Sequence, residues 1–210
     1  MYTFLPKTPP IRRYKTKARS LSNLTSVASK LPKLLLTNKV QSTIYNLKKE
    51  DFSVDVLIDK KSEKEINLAM VHLSFIAHSF IWGSHKPKKI LPEVIAKPWV
   101  KLANYLGRPP ILSYASYCLH NWYKINNSEP ISLDNVALIN NFLGGVDEDW
   151  FVTIHVCIED AASEAIDAAY KLSRLEEHNK NNDFLKHLQT ISKSLKKVNF
   201  IFSKMPEKCD

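Results

Sequence analysis

Apolar residues crowd one stretch of the chain more than any other. From Ile66 to Trp82 the run Ile-Asn-Leu-Ala-Met-Val-His-Leu-Ser-Phe-Ile-Ala-His-Ser-Phe-Ile-Trp is apolar nearly all round. A helix at a surface keeps a polar face, so this one reads as central to a core. Gly83 stands where it would stop. Ahead of it, Ser29-Lys30-Leu31-Pro32 opens a helix with proline in its first turn, and Asp59–Glu65 is a polar link. After it, a loop with Pro87 leads to Leu91–Ala96, then Pro98 and the segment Trp99–Leu106. Gly107-Arg108-Pro109-Pro110 is a break. Helices are expected over 111–125, from Asp149 to about His178, and from about Phe184 to Ser203, with loops at Asn126–Pro130 and Asn179–Asp183. Gly144-Gly145 precedes the second of these helices, and Asp147-Glu148-Asp149 places acids at its positive end. Repeats and strong period-2 patterns are absent, and only Phe52–Ile58 looks extended. The pattern predicts an all-α body.

Length and composition narrow the classes. At 210 residues the chain is one domain, or one and a part, and can bury a sizeable core. Three cysteines (Cys118, Cys157, Cys209), odd in number and without C-x-x-C spacing, exclude a zinc ribbon or a disulfide framework. They suit a reducing compartment, and a cytoplasmic location is expected. No apolar run approaches the ~20 residues that span a bilayer, so a membrane protein is not expected. Neither a P-loop nor G-x-G-x-x-G occurs.

The net charge of +9 is unevenly placed. Residues 1–49 hold eleven basic residues and no acid, which leaves 19 basic against 21 acidic residues in the remainder. Such an arm suits organelle targeting, a nucleic-acid contact, or a solvated and poorly ordered terminus. Prolines at 6, 9 and 10 break the amphipathic helix of a transit peptide. Aromatic residues do not interleave with the basic ones as on a base-stacking surface. Residues 1–30 are therefore expected to be a disordered basic arm, with nucleic-acid binding the lesser rival.

Seven histidines are candidates for chemistry: 72, 78, 85, 120, 155, 178 and 187. His72 and His78 lie six apart, about 240° around a helix, and cannot share a metal from one face. His85, His178 and His187 sit among charged neighbours and read as solvated. His155 shares a helical stripe with Phe151, Ile158 and Ala162, and Glu159 follows one turn later. An isolated H-x-x-x-E is a weak metal half-site. The stripe suits either a packed neighbour or a flat apolar ligand. Tyr114, Tyr117 and Asn121 would share one face of the 111–125 helix, with Cys118 beside them. Aromatics so placed more often fill a core than touch a cofactor, and no catalytic triad or carboxylate pair is defined.

Three stretches resemble the indoleamine 2,3-dioxygenase family of heme enzymes. They are Ala77-His78-Ser79-Phe80-Ile81-Trp82-Gly83 with Leu91-Pro92 and Ile95-Ala96; Pro109-Pro110-Ile111-Leu112-Ser113-Tyr114-Ala115 with Leu119, Asn121 and Trp122; and Gly144-Gly145 with Trp150-Phe151-Val152, Ile158-Glu159 and Ala161-Ala162. The resemblance implies an all-helical fold, with a small N-terminal domain at 31–143 and the first helices of a larger heme domain at 144–210. It implies heme b as cofactor, with O₂ and L-tryptophan or a related indole as partners and N-formylkynurenine as product. It places Tyr114, Tyr117, Cys118, Phe151 and Val152 on the distal side of the heme, together with His155. Where animal members of the family carry serine, this chain has His155. The related tryptophan 2,3-dioxygenases use a distal histidine toward the indole N–H, a role His155 would fill when neutral. The resemblance covers only the first half of such a protein. The proximal histidine and the arginine that grips the substrate carboxylate belong to the other half, and none of the seven histidines matches the metal ligand. A truncated portion, inactive without the missing C-terminal half, is the expectation. The alternative is a non-catalytic module that binds an indole, a heme or a partner helix.

Overall fold

The computed structural model describes residues 3–174 and 182–209. Its helices are α1 (Arg19–Ala28), α2 (Leu31–Leu36), α3 (Val40–Tyr45), α4 (Asp55–Lys60), α5 (Glu63–Trp82), α6 (Glu93–Leu106), α7 (Val146–Leu172) and α8 (Asn182–Phe202). Short helical turns of other pitch occupy Lys49–Phe52, Ala115–Leu119 and Met205–Glu207. Strands β1 (Trp122–Lys124) and β2 (Val136–Leu138) form a small sheet. They run antiparallel, because Asn121 O accepts from Ile139 N and Asn135 O accepts from Ile125 N. The fold is all-α apart from this ribbon. His178 and the expected link at 179–181 lie outside the described residues. No helix among the described residues is long and apolar enough to cross a membrane.

The chain divides into two compact units. One is Pro10–Tyr123 with Leu138–Gly145; the other is Met1–Pro9, Lys124–Ala137 and Val146–Asp210. In the first, α5 is the axis: fifteen of its twenty residues are buried. Its apolar side chains, among them Phe75 and Phe80, pack with Leu21 and Leu24 of α1, Ile44 of α3, Leu57 of α4 and Leu102 of α6. A helix buried this completely must also hide polar side chains, and each needs a partner. His72 Nδ1 lies 3.0 Å from the Tyr14 hydroxyl. Trp99 Nε1–H donates to Ser74 Oγ at 3.1 Å, and Arg108 donates to Asn67 Oδ1 at 2.9 Å. Glu65 accepts from the backbone N–H groups of Lys15 and Thr16, both at 2.7 Å. Burial opposes its ionisation, but hydrogen bonds from Thr16, Ser62 and Lys15 hold its carboxyl below the usual range.

Those last bonds correct the expectation of a disordered arm over residues 1–30. The buried Glu65 needs donors, the arm's backbone supplies them, and α1 then buries Leu21, Leu24, Val27 and Ala28. Three other expectations also change. Phe52–Ile58, read as extended, runs from the end of a short helical turn into α4, where Val54 at the cap and Leu57 bury at helical spacing. Residues 111–125, read as one helix, form a single π turn at Ala115–Leu119 and then β1. There Asn121 is fully buried, giving its Nδ2–H to Asn140 O and accepting from Asn140 N, which ties the chain into a ribbon. The segment Leu91–Ala96, from Glu93 on, and Trp99–Leu106 belong to one helix, α6, with Pro98 inside it.

In the second unit α7 and α8 pack as an antiparallel hairpin. Ser194 of α8, fully buried, donates to Ala161 O at 2.6 Å, while Trp150 near the start of α7 donates to Lys204 O, just past α8, at 2.8 Å. Lys208 Nζ sits 4.1 Å from the centre of the Trp150 ring. The loop of this unit is knotted by Asn135, whose amide gives hydrogen bonds to the carbonyls of Asn126, Glu129 and Pro130 and accepts from Asn126 N.

Gly83 ends α5, but its φ of −75° is not the left-handed cap expected of glycine there. A Cβ at this position would press on Ser79 O and lie 2.6 Å from Leu35 Cδ2. Gly107, by contrast, is left-handed with φ of 62° and has open space around it. Gly83→Ala is expected to destabilise the fold by about 1–3 kcal/mol through overpacking, whereas Gly107→Asn is expected to be nearly neutral. Urea unfolding measures both, and an unchanged midpoint for Gly83→Ala would remove the close approach as the reason for glycine.

Burial pushes His72 down to about 3. Burial, helped by the charge of Arg108, pushes His120 down to about 4. The unfolded chain protonates both near pH 6.5, so below that pH it binds more protons than the native form. Unfolding free energy is expected to fall from pH 6.5 toward 4.5 by up to about 1.4 kcal/mol per pH unit for each histidine. Denaturant titrations at pH 7, 6 and 5 test this, and His72→Gln should make the slope shallower without abolishing it.

Candidate functional site

The expected site residues fall into two groups, one in each compact unit. On α7 the acids Asp147, Glu148 and Asp149 occupy the first turn, where the helix dipole favours them. The anchoring of Trp150 then fixes the rotation of the helix. Val152 is fully buried, one residue round from Phe151, which is 39% exposed. His155 is half-buried one turn on. The Phe151 and His155 rings lie 4.2 Å apart between centroids, tilted by 37°. His155 Nδ1 is 2.7 Å from Phe151 O. A carbonyl oxygen only accepts, so Nδ1 carries the proton and donates. In the neutral ring this makes Nε2 the lone-pair nitrogen.

This is the local logic of the stripe: Phe151 and His155 share the more open side of α7, and the backbone fixes the tautomer of the histidine. The arrangement offers an aromatic face with a hydrogen-bond acceptor at its edge. Cys157, two residues on, is buried, and burial with the charges of Asp160 and Asp134 pushes its thiol up to about 12. It is therefore a poor nucleophile. Among the described residues no three His, Cys, Asp or Glu side chains gather as a metal site.

In the other unit, Tyr114 caps the π turn and is 43% exposed, whereas Cys118 within the turn is fully buried. Tyr117 is half-buried and stacks on Phe75 of α5, with centroids 5.7 Å apart, and on Phe142 at 6.2 Å. Phe75 and Phe142 meet at 4.5 Å. A π turn inserts one extra residue per hydrogen-bonded ring, which changes the direction of each side chain relative to an α-helix. The shared face expected of Tyr114, Tyr117 and Asn121 is accordingly not formed: Tyr114 opens outward, Tyr117 joins the aromatic stack, and Asn121 locks the ribbon.

Of the other described histidines, His72 and His78 have structural partners. His78 Nε2 accepts from Leu112 N at 3.1 Å, and its ring meets Trp99 edge-on; burial lowers its pKa. His85 is exposed and His187 half-buried. Sequence reading missed one concavity. Arg12, Arg13, Thr25, Ser29, His72, Leu138, Ile139 and Asn140 line a cavity of about 130 Å³ within the first unit. The acid-free composition of residues 1–49 was its one signal.

The profile of the family described as Indoleamine 2,3-dioxygenase matches residues 1–210. The chain is similar to the Indoleamine 2,3-dioxygenase of Saccharomyces cerevisiae, with 30% identity over 215 residues, covering 99% of this chain and 46% of that protein. It is similar to Indoleamine 2,3-dioxygenase 1 of Rattus norvegicus, with 32% identity over 186 residues, 88% of this chain and 44% of that protein. Indoleamine 2,3-dioxygenase 2 of Homo sapiens is 26% identical over 186 residues, again 88% of this chain and 44% of that protein. The chain thus spans about half the length of the curated relatives it matches.

Proposed function

This chain belongs to the indoleamine 2,3-dioxygenase family, and we propose that it forms the small helical domain and the distal wall of a heme pocket that opens the indole ring of L-tryptophan to N-formylkynurenine. Heme b, when bound, supplies the activation of O₂. The chain's own residues bind and orient. On α7, Phe151 offers exposed aromatic surface to a flat apolar ring, one residue round from buried Val152; in the other unit Tyr114 is exposed at the start of the π turn that holds Tyr117 and Cys118. His155 accepts the indole N–H at Nε2. The single observation that carries this reading is the Phe151–His155 pair, whose geometry sets the tautomer the role requires.

By the resemblance, these residues would line the substrate side of the heme pocket and would not hold its iron. His72 is buried with Nδ1 on the Tyr14 hydroxyl, and His78 Nε2 takes the Leu112 backbone N–H. By the family resemblance, the histidine that would hold the iron and the arginine that would grip the substrate carboxylate come from the part of the relatives that this chain does not span. The expected setting is the cytoplasm, since three cysteines without C-x-x-C spacing suit a reducing compartment.

The test uses the chain titrated with hemin and then with L-tryptophan or 1-methyl-L-tryptophan, which lacks the indole N–H. L-tryptophan is expected to bind about three- to tenfold more tightly, the worth of one hydrogen bond, and His155→Ala should erase that preference. A histidine-ligated Soret band that disappears in His155→Ala would make this residue the axial ligand and overturn the distal role. Absence of any saturable hemin uptake would favour the non-catalytic binding module.

A further inference from the structure

We infer that the cavity between the basic N-terminal segment and the buried helix α5 is a binding site for a small oxyanion of the size of inorganic phosphate. It lies wholly within the first compact unit. Arg12 and Arg13 enter it from the N-terminal segment, Thr25 and Ser29 from α1 and the turn after it, and His72 from α5; Asn140 follows β2. No acidic side chain lines it. Two guanidinium groups without a carboxylate make a surface that favours a negative guest, bound by charge-assisted hydrogen bonds.

The second observation is the buried floor. His72 is 3% exposed, and its Nδ1 is occupied by the Tyr14 hydroxyl. Its other ring nitrogen has no protein partner among the described residues. It is not sealed either, since Ser79 Oγ is the only fully enclosed side-chain polar atom there without a partner. Nε2 is thus the atom that His72 brings to the cavity. Burial raises the pKa of Tyr14, with Glu65 adding to the effect, so its hydroxyl keeps its proton; His72 Nδ1, at 3.0 Å, is the acceptor this buried hydroxyl has among the described residues, and it donates there. That leaves Nε2–H as a donor from the floor, opposite two cationic groups at the mouth.

The other polar walls are already set. Thr25 Oγ1 gives its proton to Leu21 O, Ser29 Oγ to Ser26 O, and Asn140 Nδ2–H to Ala28 O. They hold the shape of the site, while Arg12, Arg13 and His72 supply the recognition. Arg12 also stacks on the Tyr123 ring at 3.7 Å, which fixes its guanidinium plane beside the cavity. A volume near 130 Å³ admits a phosphate or sulfate.

Isothermal titration of the purified chain with inorganic phosphate, at constant ionic strength set by chloride, is the test. Saturable binding of one equivalent is expected. Arg12→Gln and Arg13→Gln should each weaken it about tenfold, and the distant surface change Lys89→Gln should not. Both arginines are exposed, so these variants leave the core intact. Phosphate should also shift the His72 Nε2–H correlation in a ¹⁵N spectrum, a readout that needs no substitution in the buried helix. An unmoved His72 signal, or affinity indifferent to both arginine changes, overturns the site. So does binding confined to an oligonucleotide with steep salt dependence, which would mark the segment as a polyanion surface instead.

Discussion

The burial of α5 is the constraint on which the first unit depends. A twenty-residue helix with almost no exposed face gathers a large apolar core, but it also takes Glu65, Asn67, His72 and Ser74 out of water. Each unpaired polar group in such a place costs about 1–3 kcal/mol. The surrounding segments meet these four: Lys15 and Thr16 answer Glu65, Arg108 answers Asn67, Tyr14 answers His72, and Trp99 answers Ser74, while Ser79 Oγ of the same helix is left without a partner. Residues far apart in sequence are thereby drawn to one helix. The resulting specificity comes from polar pairing laid over non-directional apolar packing.

The two groups of candidate site residues obey different local rules. On α7, ordinary helical spacing brings Phe151 and His155 together, and a backbone carbonyl decides which nitrogen of the imidazole bears the proton. At the π turn, the altered helical pitch separates Tyr114 from Tyr117 and hands Tyr117 to an aromatic stack with Phe75 and Phe142. One group is therefore prepared by periodicity and the other by a departure from it.

That contrast explains what could be read in advance. The central helix at 66–82 was visible because seventeen residues without a polar face allow few alternatives, and α7 and α8 were visible from their length and their acidic or amphipathic starts. The His155–Phe151 pairing followed from i, i+4 spacing. The ribbon after the π turn was not visible, because it depends on Asn121 meeting Asn140, nineteen residues away. The order of the N-terminal segment was hidden for the same reason: its partner, Glu65, lies fifty residues downstream and sits in what reads as a polar link. Local pattern reports what a segment can do alone, and these elements exist through distant hydrogen bonds. The cavity of Arg12, Arg13 and His72 joins both difficulties, since it needs the folded arm and the buried imidazole together.

Glu65 holds Lys15 and Thr16 by their amide nitrogens rather than by the lysine side chain. An amide is present in every residue except proline, so the grip does not depend on which side chain position 15 carries. That position can drift between basic, neutral and even acidic residues while the chain path is kept. Selection is then free to retune the electrostatics around this segment without revisiting how it is fastened, and proline alone is barred.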